Sequence, residues 1–310
     1  MAFGSCNKQY KDNILWKEII KNEPNLWIWG GDNIYADTYD MDTLKANYTT
    51  QMNQKGYKTL LQKMPILATW DDHDYGVNDS GAEYQKKKEA HQLFLDFIGV
   101  DANSSRRKQE GIYHSKLFKT LKGTIKVIVL DTRYFRTKLT KASKNDNKRY
   151  TANHSEKGTI LGETQWNWLK NELSSSKADF NIIVSSIQVL SSEHGFETWG
   201  NFPTQVEKLK KTLLTSKAKN VLLLSGDRHI SEFSKTKVHG LSYPLIDFTS
   251  SGLTHSYTNY SGEPNAYRIK NVVSEISFGL LKFDSKNKTI TMEMPGKDNI
   301  LQQKYTQIYD

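Results

Sequence analysis

Three acids and a histidine fall in four consecutive residues, Asp71-Asp72-His73-Asp74, directly after an apolar run at 66–70. Carboxylates crowded in this way repel one another and resist removal from water unless a polyvalent cation or an ionic partner offsets the charge. Three other apolar runs end in comparable groups. Run 26–29 leads into Gly30-Gly31-Asp32-Asn33-Ile34-Tyr35-Ala36-Asp37, run 125–130 into Asp131-Thr132-Arg133, and run 221–224 into Ser225-Gly226-Asp227-Arg228-His229. Carboxylate, imidazole and guanidinium are the groups that hold cations and anionic esters. His73 stands between acids that can fix its ring, which suits a residue that hands a proton to a reacting oxygen. Gly30-Gly31 permits close backbone approach yet is by itself only a turn. A single acid such as Asp37, Asp40 or Asp79 reads as a helix cap or turn residue.

For these groups to meet, the runs that precede them must be neighbouring strands with their carboxyl ends on one rim, as in an open α/β sheet. Runs 26–29, 66–70, 125–130, 182–184 and 221–224 have strand length. Segments 13–21, 82–98, 163–173 and 204–215 carry apolar residues at spacings of three and four and read as amphipathic helices. This alternation predicts a layered α/β fold. Segments 101–111 and 138–157 lack apolar rhythm and read as loops. Segment 241–294 contains strand-like alternation and predicts antiparallel strands completing a sheet. With no internal repeat and no Ser/Gly linker, one domain over 1–310 is expected.

The chain has 310 residues, 37% of them hydrophobic, with 16 Tyr, 12 Phe and 7 Trp against 6 Pro, which fits a packed core and excludes a low-complexity polymer. Lys and Arg outnumber Asp and Glu 43 to 34, for a net charge of +9, but only seven of the 43 are Arg. A solvated lysine surface fits that balance better than a nucleic-acid reader, so no obligatory nucleic acid is expected. No apolar stretch reaches the roughly 18 residues of a membrane span. Cys6 is the only cysteine, so it is free, intermolecular or a ligand; a small buried hydrophobe is its ordinary reading. The first strand is expected within a few residues of Met1, leaving no room for a secretory leader, so the protein is either cytosolic or missing its leader from this sequence.

GGDNIYAD (30–37), TWDDHD (69–74) and SGDRHISEF (225–233), with FGSC (3–6) before them and DTRYFR (131–136) between, resemble the alkaline phosphatase D (PhoD-like) branch of the metallophosphoesterases. The order of motifs matches over nearly the whole chain, and LGETQWNWLKNEL (161–173) and IIVSSIQV (182–189) sit where that family has a helix and its next strand. The resemblance implies a four-layer α/β/β/α sandwich without the N-terminal β-domain of larger relatives. It implies two metals bridged by Asp32, with Cys6 thiolate, Tyr35 phenolate and His229 at one ion and Asp72 and Asp227 at the other. Sulfur and phenolate suit Fe3+, and the oxygen-rich set suits Ca2+, with Mg2+, Mn2+ and Zn2+ as alternatives. His73 faces the substrate in that pattern. Arg133 and Arg228 are candidates for phosphate contacts and are equally placed to pair with the surplus acids. Ser186 and Gln188 fall where the superfamily often has a histidine ligand; His194 follows six residues beyond Gln188.

The expected activity is hydrolysis of phosphate monoesters, diesters or both by a metal-bound hydroxide, in a monomer that is periplasmic or secreted, as the family implies. Phosphodiesterase or phospholipase activity is the near alternative. A basic polyanion-binding module with structural Ca2+ is the alternative of another class, and a histidine between acids in the crevice argues against it.

Overall fold

The alternation of side chains along short apolar strands requires cover on both faces of a sheet. The computed structural model, which describes residues 1–120, 123–155 and 157–309, meets that need with two stacked sheets and helices outside both. Strands and helices are numbered in chain order. The first sheet runs β15 (Leu301–Ile308), β14 (Thr289–Pro295), β13 (Gly279–Asp284), β1 (Ala2–Gly4), β2 (Trp27–Gly30) and β3 (Ile66–Thr69). The second runs β12 (Arg268–Val273), β10 (Ser231–Thr236), β11 (Leu245–Ser250), β9 (Val221–Ser225), β8 (Phe180–Val184), β5 (Gly123–Val129) and β4 (His114–Thr120). β6 (Thr140–Lys141) and β7 (Tyr150–Thr151) form a separate hairpin.

The layers follow from which residues point where. Phe3, Ile28 and Leu67 of the first sheet pack inward with Val127, Ile182 and Leu222 of the second. Ala2, Trp27, Trp29 and Ala68 point the other way, into a cluster with residues of α1 (Leu15–Lys21), α2 (Met41–Asn53), α3 (Lys55–Lys63) and α5 (Lys87–Phe97). There Trp16 meets Trp27 and Trp29 edge-on at 5.4 Å. On the far side, α6 (Gly162–Ser174) contributes Trp166 and Leu169, and α7 (Pro203–Ser216) Leu209 and Leu213. Each fully buried large apolar side chain contributes about 1.5–3 kcal/mol. The result is the four-layer α/β/β/α order expected from the resemblance.

The structure departs from the sequence reading in three places. Segment 241–294 divides between the two sheets, and β11 pairs parallel with β9 as well as antiparallel with β10, because β11 lies in the sheet between those two strands. Helices α2 and α3 were not anticipated: of thirteen residues in α2 only Leu44, Tyr48 and Gln51 are buried, too few to set a rhythm. Segment 138–157 holds the small hairpin besides loop, and Glu156 lies outside the described residues. Among the described residues no helix is long and apolar enough to cross a membrane.

Candidate metal centre

β1, β2, β3 and β9 all end at the same rim, as parallel strands joined by crossovers must. Cys6 follows β1, Asp32 follows β2, Asp72 and His73 open the short helix α4 (Asp72–Tyr75) after β3, and Asp227 and His229 follow β9. A bridge between Ser5 and Ser251 ties the two sheets together there. The approach is close enough to need glycine: at Gly31, whose φ is +99°, a Cβ would lie 2.7 Å from Asp71 Cβ and 2.9 Å from Ser186 Cβ. Cys6, Asp32, Asp227 and His229 hold φ values between 48° and 70°, a left-handed backbone that side chains adopt at a cost and that gathers at functional sites.

The donors overlap. Cys6, Asp32 and His229 form one group whose ligand atoms lie within 4.8 Å of one another; Asp32, Asp72 and His73 form a second, and Asp71, Asp72 and Asp227 a third. Asp32 Oδ2 accepts from the Cys6 thiol at 3.3 Å and from the Tyr35 hydroxyl at 3.0 Å, and Tyr35 is also 3.0 Å from His229 Nε2. Asp32 Oδ1 is buried with no hydrogen-bond partner among the described residues, as is Asp71 Oδ2. Burial raises the Asp32 and Asp227 carboxyls well above their usual range, helped at Asp32 by Cys6 and then Asp72 and Asp71, and at Asp227 by Asp71 and Asp72. Burial likewise pushes the Cys6 thiol up to about 11 and lowers His229 to about 4, which keeps the imidazole neutral. Orphaned carboxylate oxygens, repelling acids and a neutral imidazole beside a thiol are the donor set a cation stabilises. The residues fit a metal pair.

His73 stands over this cluster. Its Nδ1 lies 2.7 Å from Asp37 Oδ2, and its ring lies over Tyr35, tilted by 30° with centroids 4.2 Å apart. Burial alone would lower its pKa, but Asp72, Asp32 and Asp37 outweigh it and raise it to about 11. Asp72 is itself held by the N–H groups of His73 at 3.0 Å and of Asp79 at 2.6 Å. Asp37 therefore serves as a partner of His73, whereas Asp40 caps α2 as its isolated position suggests.

Both candidate arginines are in ion pairs. Arg133 is wholly buried; its Nε donates to Asp71 Oδ1 and its Nη1 to Glu197 Oε2, each at 2.6 Å, and Arg136 pairs with the other Glu197 oxygen at 2.8 Å. Arg228 pairs with Glu263 at 2.5 Å and lies over the Phe196 ring at 4.1 Å. Of the two readings open for them, the acid-pairing one describes this geometry. Arg133 thus props the carboxylates from beneath. Arg133→Met is expected to cost about 3–5 kcal/mol of stability, since it strands the buried Asp71 and leaves Glu197 only Arg136 as an ion-pair partner; denaturant unfolding measures it, and a loss under about 1 kcal/mol would contradict the buried pairing.

His255 was not singled out in the sequence. Its ring stands 4.4 Å from His229 and 5.2 Å from Tyr35, and its Nε2 is buried without a partner among the described residues. Glu197 gave no signal at all, being a lone acid in a polar segment. Ser186 donates to Asp71 Oδ1 at 2.7 Å, Gln188 turns instead to Glu232 and Thr249, and His194 belongs to none of the donor groups.

Two mixed sheets between helical layers, with sulfur, carboxylate and imidazole gathered at their common rim, define a sandwich of the metallophosphoesterase type. The chain belongs to the PhoD-like phosphatase family, whose model matches residues 1–271. It is 23% identical over 302 residues to alkaline phosphatase D of Bacillus subtilis (strain 168), a match covering 81% of this chain and 51% of that protein. The chain thus spans about half the length of this curated relative. The PhoD structure superposes with a TM-score of 0.80 at 18% identity, covering all of this chain and 69% of the other. A dimetal phosphatase from Danio rerio gives 0.59 at 12% identity, over 100% of this chain and 99% of that one. GAP50, the anchor in the inner membrane complex of Plasmodium, gives 0.62 at 18% identity, over 100% and 89%. A fold shared by an anchor and a phosphatase leaves the function to the site.

Proposed function

We propose that this chain hydrolyses phosphate monoesters, diesters or both with a pair of metal ions, as a monomer outside the cytoplasm, either periplasmic or secreted. The observation that carries the reading is the overlap of donor groups through Asp32, with its buried, unpartnered Oδ1. Cys6, Tyr35, His229 and Asp32 would hold one ion, for which thiolate and phenolate favour Fe3+; Asp72 and Asp227 would hold the other with Asp32, and all-oxygen donors favour Ca2+. Such ions lower the pKa of water and offset the charge of phosphate oxygens. The chain's own part is positional and acid–base. Asp37 engages His73 Nδ1, which leaves Nε2 to give a proton to the leaving oxygen. Arg133 and Glu197 hold Asp71 and, through it, the base of the carboxylate cluster.

Elemental analysis of the purified protein, run beside turnover of a chromogenic phosphomonoester and a chromogenic diester, tests the reading. Thiolate and phenolate donate charge to ferric iron, so the expected protein is coloured, and Tyr35→Phe shifts or bleaches the visible band while far-UV circular dichroism stays unchanged. A colourless, iron-free protein with full activity would assign these donors to another ion. Loss of neither ester's hydrolysis on exhaustive chelation would remove the metal from the mechanism.

A further inference from the structure

A cleft of about 360 Å³ opens between segment 77–84 and the β6–β7 hairpin. Asp79 joins it to the metal centre, since it lines the cleft while its N–H donates to Asp72 Oδ2 at 2.6 Å. One wall is aromatic. Tyr39 lies against the buried Tyr84 with ring centroids 5.1 Å apart, yet is itself 55% exposed, so a ring face is held in place and open to solvent. The lining is also cationic, with Lys138, Lys141 and Arg149. Arg149 is taken up by Asp79 at 3.0 Å, whereas among the described residues no ion pair takes up Lys138 or Lys141. Segment 138–151 carries Lys138, Lys141, Lys144, Lys148 and Arg149 against the single acid Asp146, and Glu83 is the exposed acid at the cleft.

An aromatic platform in the same cleft as unpaired ammonium groups recognises a flat ring that bears an anion. Resting on the hydrolase reading, we propose that this cleft binds the part of the substrate remote from the scissile bond, and that this part is a nucleoside carrying a second phosphate. The ring stacks on Tyr39 and the second phosphate meets Lys138 and Lys141. Positions this close to Asp72 make the cleft a selector among esters, because it acts on a group tethered to the reacting phosphate.

Three esters that release the same 4-nitrophenolate test the proposal: 4-nitrophenyl ethyl phosphate, thymidine 5′-(4-nitrophenyl phosphate), and the latter with a 3′-phosphate. The expected kcat/KM rises in that order, by on the order of tenfold from first to last. Lys138→Ala combined with Lys141→Ala should erase the advantage of the third ester over the second, and Tyr39→Ala that of the second over the first. Lys217→Ala with Lys219→Ala, at the other end of β9, should leave both ratios intact. Equal rates on the three esters, or ratios that survive the cleft variants, overturn the proposal. Calorimetry with thymidine 3′,5′-bisphosphate separates it from the hydrolase reading: about tenfold weaker binding to the Lys138/Lys141 variant supports the cleft, and equal affinity refutes it. Were none of these diesters hydrolysed, the diesterase part of the hydrolase reading would fall while this binding comparison still decided for or against the cleft.

Discussion

Asp32→Asn is expected to strip both ions from the protein and to lower kcat/KM on a chromogenic phosphate ester by on the order of 10³-fold or more. The size of the effect follows from position. Asp32 is the residue common to the group with Cys6 and His229 and the group with Asp72 and His73. It also accepts from Cys6 and Tyr35 through one oxygen while its other oxygen is buried and unused, so an amide there both removes the charge and puts a donor where an acceptor is needed. Elemental analysis and steady-state kinetics on the same preparation decide the matter. Retention of both ions at the wild-type rate would show that the two groups are not one site.

His73→Ala should cost on the order of 10²–10⁴-fold in kcat, and the loss should be greater on alkyl than on aryl esters, because a poor leaving group needs the proton that a good one does not. Metal content should hardly change. The geometry behind this is the 2.7 Å contact with Asp37 and the tilted ring contact with Tyr35, which fix the ring while it stays partly exposed. Equal losses on both ester types would take the proton away from His73. Loss of an ion would instead make it a ligand, a role its proximity to Asp32 and Asp72 allows.

The clustering at strand ends was legible because apolar runs of strand length are followed at once by acids, and the carboxyl ends of parallel strands share a rim. Helices α1, α5, α6 and α7 were legible for a similar reason: one face of each is buried, so the apolar period survives in the sequence. α2 shows the limit. Its core-facing residues include Gln51, which receives the Asn7 amide at 2.7 Å, and a polar tertiary contact leaves no mark on hydropathy. The pairing of Asp37 with His73 was hidden because 36 residues separate them and each reads locally as something simpler. His255 and Glu197 come from polar loops whose paths are set by the sandwich, so no local spacing announces them. The arginines were ambiguous in the sequence because a guanidinium suits a phosphate and a carboxylate alike; burial is what separates the two uses.

The place of β1 bears on how the molecule is made. This strand of three residues lies inside the first sheet, parallel to β2 on one side and antiparallel to β13 on the other, with Ala2 opposite Leu280. Its two neighbours thus come from widely separated parts of the chain, with β13 made long after β2. Until β13 leaves the ribosome, β1, β2 and β3 form a strip with an open, apolar edge, and Cys6 and Asp32 hang from unfinished loops. Pairings between such distant segments are slow to form, and open edges invite association between chains. Refolding yield should therefore fall as protein concentration rises, and the thiol of Cys6 should stay reactive in nascent chains until the sheet closes over it.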